Sequence, residues 1–379
     1  AADRDQATRI NGAHATTTAD SAERFRAGVE RAILARAGML PAAERAAEAG
    51  SEFRGMTLLE IARASLSRAG ASATGDKLAV VGRAFTHTSG DFANILATTA
   101  NKAMMRGWME APETFGAWTS TGSLPDFKAT SRVDIGAFPA LSLIPEGAEY
   151  TYATLSDRGE TAQIATYGKL FSITRQAIIN DDLNAFTRIP ASMARAARRT
   201  VGNLVYAILT GNPTMGDSVA LFHANHSNLD TGGGSALSVT SLAAARVKMA
   251  KQTGQQSEPL NIQPAHLIVP VALRDTAAVI LASEYNPDAT NKLQAPNPVR
   301  GMVDVIADPR LDAASATAWY LTASPTAYDA IEVLYLDGND APFLDQQAGW
   351  NVDGTEFKVR IDAGVKAWDY RTLYKSAGA

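Results

Sequence analysis

The chain has 379 residues and a formal net charge of -4, with 46% hydrophobic residues, 20% charged residues and no cysteine. This composition predicts a folded protein of more than one compact unit, since single cores stop growing beyond about 250 to 300 residues. It excludes disulfides, cysteine-based metal sites and the basic surface that drives nucleic-acid recognition. No apolar run reaches the ~20 residues that cross a bilayer, so we expect a soluble protein without a signal peptide or a membrane partner.

The first part of the chain, residues 1–120, is predicted to form short helices. Apolar residues recur at every fourth position from Phe25 to Ile33, and Thr57 and Glu60 have the spacing of a capping box. Each helix carries only a narrow apolar stripe. We therefore expect an arm that lies on another surface and has no core of its own.

A long β-hairpin is predicted next. Residues 148–155 and 163–174 alternate in the manner of strands, and the polar segment SDRGE, residues 156–160, lies between them. A five-residue polar segment that contains glycine is typical of a hairpin turn. We expect the two strands to pair with each other and the turn to project.

The strongest helical pattern in the chain covers residues 185–210. Asp181 and Asp182 precede it, where negative charge favours a helix start, and the segment GNP follows it. Its arginines are expected on a solvated face. The predicted apolar stripe consists of Met193, Ala197, Val201, Leu204 and Ile208.

The remaining sequence predicts helices and strands in alternation, followed by strands alone. Residues 236–325 mix helical segments with short apolar strands. Ile331, Val333 and Tyr335 then occupy alternate positions, and Phe357, Val359 and Ile361 alternate with polar residues, which is typical of half-buried strands. The pattern as a whole predicts an α+β protein.

The segment LFHANHSNLD contains the pair His223 and His226. Two histidines three residues apart supply half of a zinc site, but the helical hydrolase motif spaces its histidines by four and adds a glutamate. We expect the pair to organise a turn through side-chain hydrogen bonds. A metal-dependent hydrolase that uses His223 and His226 stays open as an alternative.

Other signatures of catalysis are absent from the sequence. It has no phosphate-binding loop of the G-x-x-x-x-G-K-[ST] type and no G-x-S-x-G nucleophile elbow. The glycine-rich segment TGGGSA follows a polar stretch instead of a strand, unlike a dinucleotide-binding turn. We expect a protein that is not an enzyme and that uses no cofactor.

Five long segments resemble the major capsid proteins of tailed bacteriophages. More narrowly, they are similar to the group in which the capsid protein is made as part of a fusion with a prohead protease, related to Mu-like major head subunits. The segments are FRGMTLLEIAR (53–63), VGRAFTHTSGDF (81–92), ATYGKLFSITRQAIINDDLNAFTRIP (165–190), ALFHANHSNL (220–229) and VDGTEFKVRIDAGVKAWDYRTLYK (352–375). The similarity covers nearly all of the chain after about residue 50.

The resemblance implies the Hong Kong 97 capsid fold. The implied parts are an N-terminal helical arm (1–120), an extended loop and its base (121–180, hairpin tip at about 156–160), a peripheral domain (181–235, spine helix 185–210), an axial domain (236–325) and C-terminal strands that return to the peripheral domain (326–379).

The implied function is structural. Pentamers and hexamers of the chain would build an icosahedral shell around phage double-stranded DNA. Expected partners are further copies of the chain, the portal, the prohead protease, a decoration protein and, by non-specific contact, the packaged DNA. The expected location is the virion, after synthesis in the host bacterial cytoplasm. Another virion structural protein is the alternative within the same class.

Contacts between subunits are expected at the hairpin tip. Asp157, Arg158 and Glu160 are predicted to make ionic and strand-addition contacts with a neighbouring copy. Some proteins of this fold join subunits through a lysine-asparagine bond, but SDRGE contains no lysine. We therefore expect no covalent cross-linking.

Overall fold

The protein is a mixture of helices and sheets that forms two compact units. The structure is a computed structural model, and it describes residues 21–86, 91–135, 157–254, 257–288, 295–348 and 354–379. One unit comprises residues 1–103, 172–190 and 346–356, and the other comprises residues 104–171, 191–345 and 357–379. The predicted α+β class is confirmed.

The helices and strands follow one another in mixed order along the chain. The α-helices are α1 (Ser21–Arg36), α2 (Ala42–Ala47), α3 (Leu58–Arg68), α4 (Lys77–Thr86), α5 (Asp91–Met109), α6 (Arg175–Ile179), α7 (Leu183–Gly211), α8 (Val239–Ala250), α9 (Arg274–Ala282) and α10 (Pro309–Asp312). The strands are β1 (Ser120–Leu124), β2 (Thr130–Ile135), β3 (Asp157–Ala162), β4 (Ala165–Thr174), β5 (Leu229–Asp230), β6 (Pro264–Val269), β7 (Asp304–Ala307), β8 (Trp319–Ala323), β9 (Ile331–Leu336), β10 (Phe343–Ala348), β11 (Gly354–Ala367) and β12 (Leu373–Ser376).

One five-stranded sheet is built on β11. Its order is β1-β9-β11-β10, and β4 also pairs with β11. β1 runs parallel to β9, whereas β9 and β11 are antiparallel with Glu332 opposite Lys366. The predicted C-terminal strands are confirmed, because residues 331–335 lie in β9 and residues 357–361 in β11. The expected half-burial holds for β11 but is wrong for β9, which is buried on both faces.

A second five-stranded sheet, in the order β5-β12-β8-β6-β7, separates two hydrophobic cores. Alternate residues of β8 enter different cores, with Tyr320 on one side and Trp319 and Leu321 on the other. The core on the Tyr320 side also contains Val201 and Val205 of α7. Period-two alternation of large apolar residues therefore lets one sheet support two cores.

The unit that holds the N-terminal helices has a buried core, which differs from the expected coreless arm. Leu58, Leu66 and Val80 are fully buried, as is Ile178 of α6, which comes from much later in the chain. Asp181, expected to serve the start of the long helix, instead accepts a hydrogen bond from the backbone N–H of Leu58 at 2.8 Å. Residues 172–190 thus contribute to the core against which the narrow apolar stripes pack. The sequence of the first helices alone does not reveal this contribution.

The capping box predicted for α3 is present. The side chain of Thr57 accepts from the backbone N–H of Glu60, and the Glu60 carboxylate accepts from the backbone N–H of Thr57 at 2.7 Å. These hydrogen bonds lower the pKa of the fully exposed Glu60. The reciprocal pair satisfies two of the free N–H groups at the helix start.

The long helix is confirmed, but its buried face differs from the predicted stripe. α7 spans Leu183–Gly211, three residues beyond the predicted segment in total. Of the predicted stripe only Val201 is fully buried, while Ala194, Val205 and Leu209, outside the stripe, are fully buried as well. Met193, Ala197 and Ile208 are half-buried and pack against the same core from its margin. A helix covered on more than one side has no single apolar stripe for a sequence pattern to find.

The predicted hairpin is wrong in its pairing. Residues 157–162, expected to contain the turn, form β3 and pair antiparallel with β2, whereas β4 pairs with β11. Residues 148–155, expected to be the partner strand, lie outside the described residues. Within the described part of the chain, no helix has the length and apolar character needed to cross a membrane.

Gly107 permits close packing between α5 and α7, so a larger residue at this position is predicted to destabilise the protein. A Cβ on Gly107 would lie 2.3 Å from the backbone oxygen of Ala191. We expect Gly107→Ala to lower the free energy of unfolding by about 1–3 kcal/mol, since backbone atoms must move apart. Denaturant unfolding of the purified protein measures the loss. Gly116→Ala is the control, because no atom lies within 4 Å of its added Cβ. Equal effects of the two substitutions would contradict the prediction.

Candidate functional site at the base of a two-stranded ribbon

Strands β2 and β3 form a two-stranded ribbon, called the ribbon below. Their register places Arg132 opposite Glu160 and continues through Asp134 opposite Arg158 to Ile135 opposite Asp157. The side chains of Asp157 and Arg158 lie outside what the structure describes. The residues predicted at a hairpin tip therefore lie in a paired strand.

Glu160 is buried within its own chain and not exposed at a tip. Its side chain is 4% exposed, and one carboxylate oxygen lies 3.0 Å from Nζ of Lys366 in β11. The other oxygen accepts a hydrogen bond from the backbone N–H of Gly216 at 2.7 Å. The carboxylate of Glu160 is thus occupied inside the subunit, and its contact with a neighbouring copy stays a prediction.

Arg132, the partner of Glu160 across the ribbon, binds the carboxylate of Glu332 in β9. Nη1 donates to Glu332 Oε2 at 2.6 Å, and Nη2 lies 3.4 Å from Oε1. Glu332 is 4% exposed and also accepts from the indole N–H of Trp368. The guanidinium lies 4.7 Å from the centre of the Trp368 ring, within the range of a cation–π contact. Glu332 therefore holds a buried negative charge with two donors.

Two glycines provide the space that these carboxylates occupy. A Cβ on Gly122 of β1 would lie 1.9 Å from Glu332 Oε1, and a Cβ on Gly216 would lie 2.4 Å from the backbone oxygen of Gly159. Neither distance is possible for a real side chain. Glycine at both positions allows the sheet and the loop to approach the ribbon closely.

An apolar cluster lies beside the charged groups. Ala162 of β3 and the adjacent Ile164 pack with Leu124, Leu334 and Trp368. Since an isolated two-stranded ribbon is only marginally stable, its base needs such packing to keep a defined position. The ribbon base thus combines apolar burial with ion pairs.

Sequence reasoning missed Arg132, Glu332, Lys366 and Trp368. One local signal was present, because Glu332 interrupts the apolar strand IEVLYL between Ile331 and Val333. A carboxylate in a strand that is buried on both faces requires partners. The identity of those partners depends on strands that meet only in the folded chain.

His226 lies in a tight turn and is fully occupied by contacts. Its Nε2 is 2.8 Å from Asp217 Oδ2 and its Nδ1 is 3.1 Å from the carbonyl oxygen of Leu221. The ring stacks on Tyr370 with 3.7 Å between the ring centres, and its backbone carbonyl accepts from Gln252. Either neutral tautomer makes one of the two ring hydrogen bonds.

His223 caps the same turn from its exposed side. Its Nδ1 accepts from the backbone N–H of Asn225 at 3.1 Å, while its own backbone N–H donates to Asn228 Oδ1. Ser227 closes the turn in the left-handed region at φ 54°. Both histidines are thus engaged in local hydrogen bonds.

No metal-binding arrangement occurs among the residues that the structure describes. Groups of three or more histidine, aspartate or glutamate side chains with suitable geometry are absent there. Among the described residues, Asp217 is the only acidic side chain within ion-pair distance of His226. The described residues therefore offer no support for the hydrolase alternative.

Lys375 of β12 is half-buried, and its position disfavours its charge. Its Nζ lies 5.8 Å from the ring centre of Phe222 and 5.5 Å from that of Tyr320. No carboxylate lies within ion-pair distance of Lys375 among the described residues. Burial lowers the pKa of Lys375 and raises the pKa of Tyr320 to about 12.

The comparisons with known proteins concern phage capsid proteins. A family model described as phage capsid protein matches residues 159–376. No curated protein matches the sequence. The structure is similar to the capsid of bacteriophage JBD30, with a TM-score of 0.45 and 16% identity over 53% of this chain and 91% of that chain.

Two further capsids show comparable similarity. That of cyanophage P-SCSP1u has a TM-score of 0.49 and 11% identity, over 70% of this chain and 88% of its own. The capsid of Myoviridae phage XM1 has a TM-score of 0.45 and 13% identity, over 71% of this chain and 92% of that chain. All three TM-scores lie below one half, so the match to the family model is what establishes the family.

The two histidines are predicted to differ in their contribution to stability. His226→Ala should lower the free energy of unfolding by about 2–4 kcal/mol, because it removes a buried, stacked and hydrogen-bonded ring. His223→Ala should cost only about 0.5–1 kcal/mol, since it removes a single exposed cap. Denaturant unfolding compares the variants. Equal losses, or stoichiometric zinc in the wild type that disappears in both variants, would contradict this assignment.

Replacing Lys375 is predicted to stabilise the protein. Lys375→Met removes an ammonium that burial disfavours, so the midpoint of thermal unfolding should rise at neutral pH. The advantage should shrink as the pH rises from below the lowered folded-state pKa towards the ordinary value of 10.5, because the wild-type amine then loses its proton in the folded state first. Lys375→Arg, which retains the charge, should give no increase. An unchanged midpoint in Lys375→Met would contradict the prediction.

Proposed function

Because this chain belongs to the phage capsid protein family, we propose that it is the major capsid subunit of a tailed phage, which assembles into pentamers and hexamers of an icosahedral shell around double-stranded DNA. The match to the family over residues 159–376 carries this proposal. That range includes β3 of the ribbon from Gly159 onward, all of α7 and both five-stranded sheets except β1. The function is structural, and the shell is its location.

The Hong Kong 97 arrangement is proposed for the parts of the chain. α7 fits the spine helix of a peripheral domain at 181–235, to which the strands of 326–379 return. Residues 236–325 fit an axial domain, since α8, α9, β6 and β8 surround a core of their own. The segment 121–180 fits an extended loop whose base is the ribbon. The helices within residues 1–120 fit the arm region, although they include a core.

Contacts between copies are proposed for the part of the ribbon beyond Glu160. Asp157 and Arg158 continue β3 past the buried ion pairs, towards the segment 136–156 that connects the two strands. Their charges suit ionic contacts with a second copy. The carboxylate of Glu160 already has two partners within its own chain, so the proposal rests on Asp157 and Arg158.

The wider set of partners is also a proposal. A portal, a prohead protease, a decoration protein and the packaged DNA are the partners that a shell of this kind would meet. The relationship to fusions with a prohead protease and to Mu-like head subunits rests on the sequence resemblance. We also propose that the chain is not an enzyme and that His223 and His226 serve only to organise their turn.

Electron microscopy of the purified protein tests the function. Expression of the chain, alone and with a phage protease, should give closed shells of uniform diameter, because self-association is the activity of the family. A particle-free preparation that stays monomeric under all assembly conditions would contradict a shell role. If the protein occurs in virions at a copy number far below that of the shell, it is another structural component. Bound zinc with hydrolytic activity would favour the hydrolase instead.

A further inference from the structure

Four charged side chains at the ribbon base belong to two antiparallel pairs of strands, and each pair carries one positive and one negative residue. Arg132 and Glu160 face each other across the ribbon, and Glu332 and Lys366 face each other across β9 and β11. Side chains directly opposite each other in antiparallel strands lie on the same face. Each ribbon residue therefore meets the sheet residue of opposite charge, at 2.6 Å for Arg132 and Glu332 and at 3.0 Å for Glu160 and Lys366. These four residues are called the four-charge cluster.

The cluster holds both strands of the ribbon, which constrains rotation as well as separation. A single ion pair would fix one point and leave the ribbon free to pivot about it. Two pairs, one on each strand, fix the ribbon about two axes. The backbone N–H of Gly216, which donates to Glu160 from a third segment of the chain, adds a further fixed point.

Burial of the two carboxylates distinguishes the cluster from ordinary surface ion pairs, although the Arg132 side chain is itself 47% exposed. The side chains of Glu160 and Glu332 are 4% and 5% exposed, so neither carboxylate can exchange its partner for water without moving. Exposed pairs contribute little because water and salt screen them. A buried carboxylate that loses its cation is strongly unfavourable, so the ribbon has one preferred direction.

From this geometry we propose that Arg132, Glu160, Glu332 and Lys366 are positioning residues that set the direction in which the ribbon leaves the subunit. The inference rests on the proposed function, in which the ribbon reaches a second copy of the chain. The direction of the ribbon then determines which position on a neighbour it meets. Subunits with a loosened cluster would fold but would not close shells of one size.

Methionine substitutions at the two cations test the proposal. Arg132→Met and Lys366→Met retain the apolar stem of each side chain and remove its charge, so the buried carboxylates lose their partners. Amide hydrogen exchange of β2 and β3 in the unassembled subunit should accelerate at least tenfold, with exchange of β6 and β8 unchanged. The yield of closed shells of wild-type diameter should fall at least tenfold in electron micrographs.

Lys358→Met is the matched control in the same strand. Lys358 pairs with Asp345 at 3.2 Å, but both side chains are about half exposed, so its loss should change neither exchange nor shell yield. Lys366→Arg, which retains the cation, should show the wild-type rate of ribbon exchange and the wild-type yield of shells. A role in general stability would instead accelerate exchange throughout the unit.

Each outcome bears on a different claim. Wild-type exchange of the ribbon in both methionine variants would overturn the proposed hold on the ribbon. Accelerated exchange together with a normal yield of uniform shells would overturn its role in assembly. Global acceleration of exchange, including β6 and β8, would show that the cluster serves only the stability of the unit. Absence of shells from the wild type and from Lys358→Met would overturn the proposed function itself.

Discussion

The carboxylate of Glu332 sets a constraint that much of the larger unit satisfies. It lies in β9 between Ile331 and Val333, which are fully buried, so its charge must be compensated inside the protein. The guanidinium of Arg132 and the indole of Trp368 supply the donors, and the absence of a side chain on Gly122 supplies the space. A ribbon, a sheet strand and a C-terminal aromatic residue are thereby brought to one point.

The second five-stranded sheet lies between two hydrophobic cores and contributes side chains to both. Alternate residues of β6 and β8 enter the core beside α7 and the core between α8 and α9. Strand β12 lies between β5 and β8 in this sheet, and its partner β5 precedes it by more than a hundred residues, with Lys375 opposite Leu229. Such long-range pairing gives rigidity to a protein without disulfides, because every strand is fixed by neighbours distant in sequence.

Three polar side chains of the larger unit, His223, His226 and Arg310, make several contacts each within the chain. His226 is surrounded by a carboxylate, a carbonyl group and a tyrosine ring, and His223 by backbone groups of its own turn. Arg310 binds Glu113 with two hydrogen bonds and also contacts Asp308, which holds α10 against the start of the larger unit. Buried ion pairs of this kind define a specific arrangement of segments more than they add to total stability.

The sequence by itself determined the features that depend on neighbouring residues. The capping box of Thr57 and Glu60, the long helix α7 and the alternating strands β9 and β11 follow from local periodicity and local hydrogen bonds. The resemblance in sequence also indicated the family. The tertiary structure decided which strands pair, which side of α7 is buried and where Glu160 lies. Arg132 and Glu332 are 200 residues apart, and no local pattern encodes their contact. Strand propensity fixes that a segment is extended, whereas its partner is chosen by packing and charge across the whole chain.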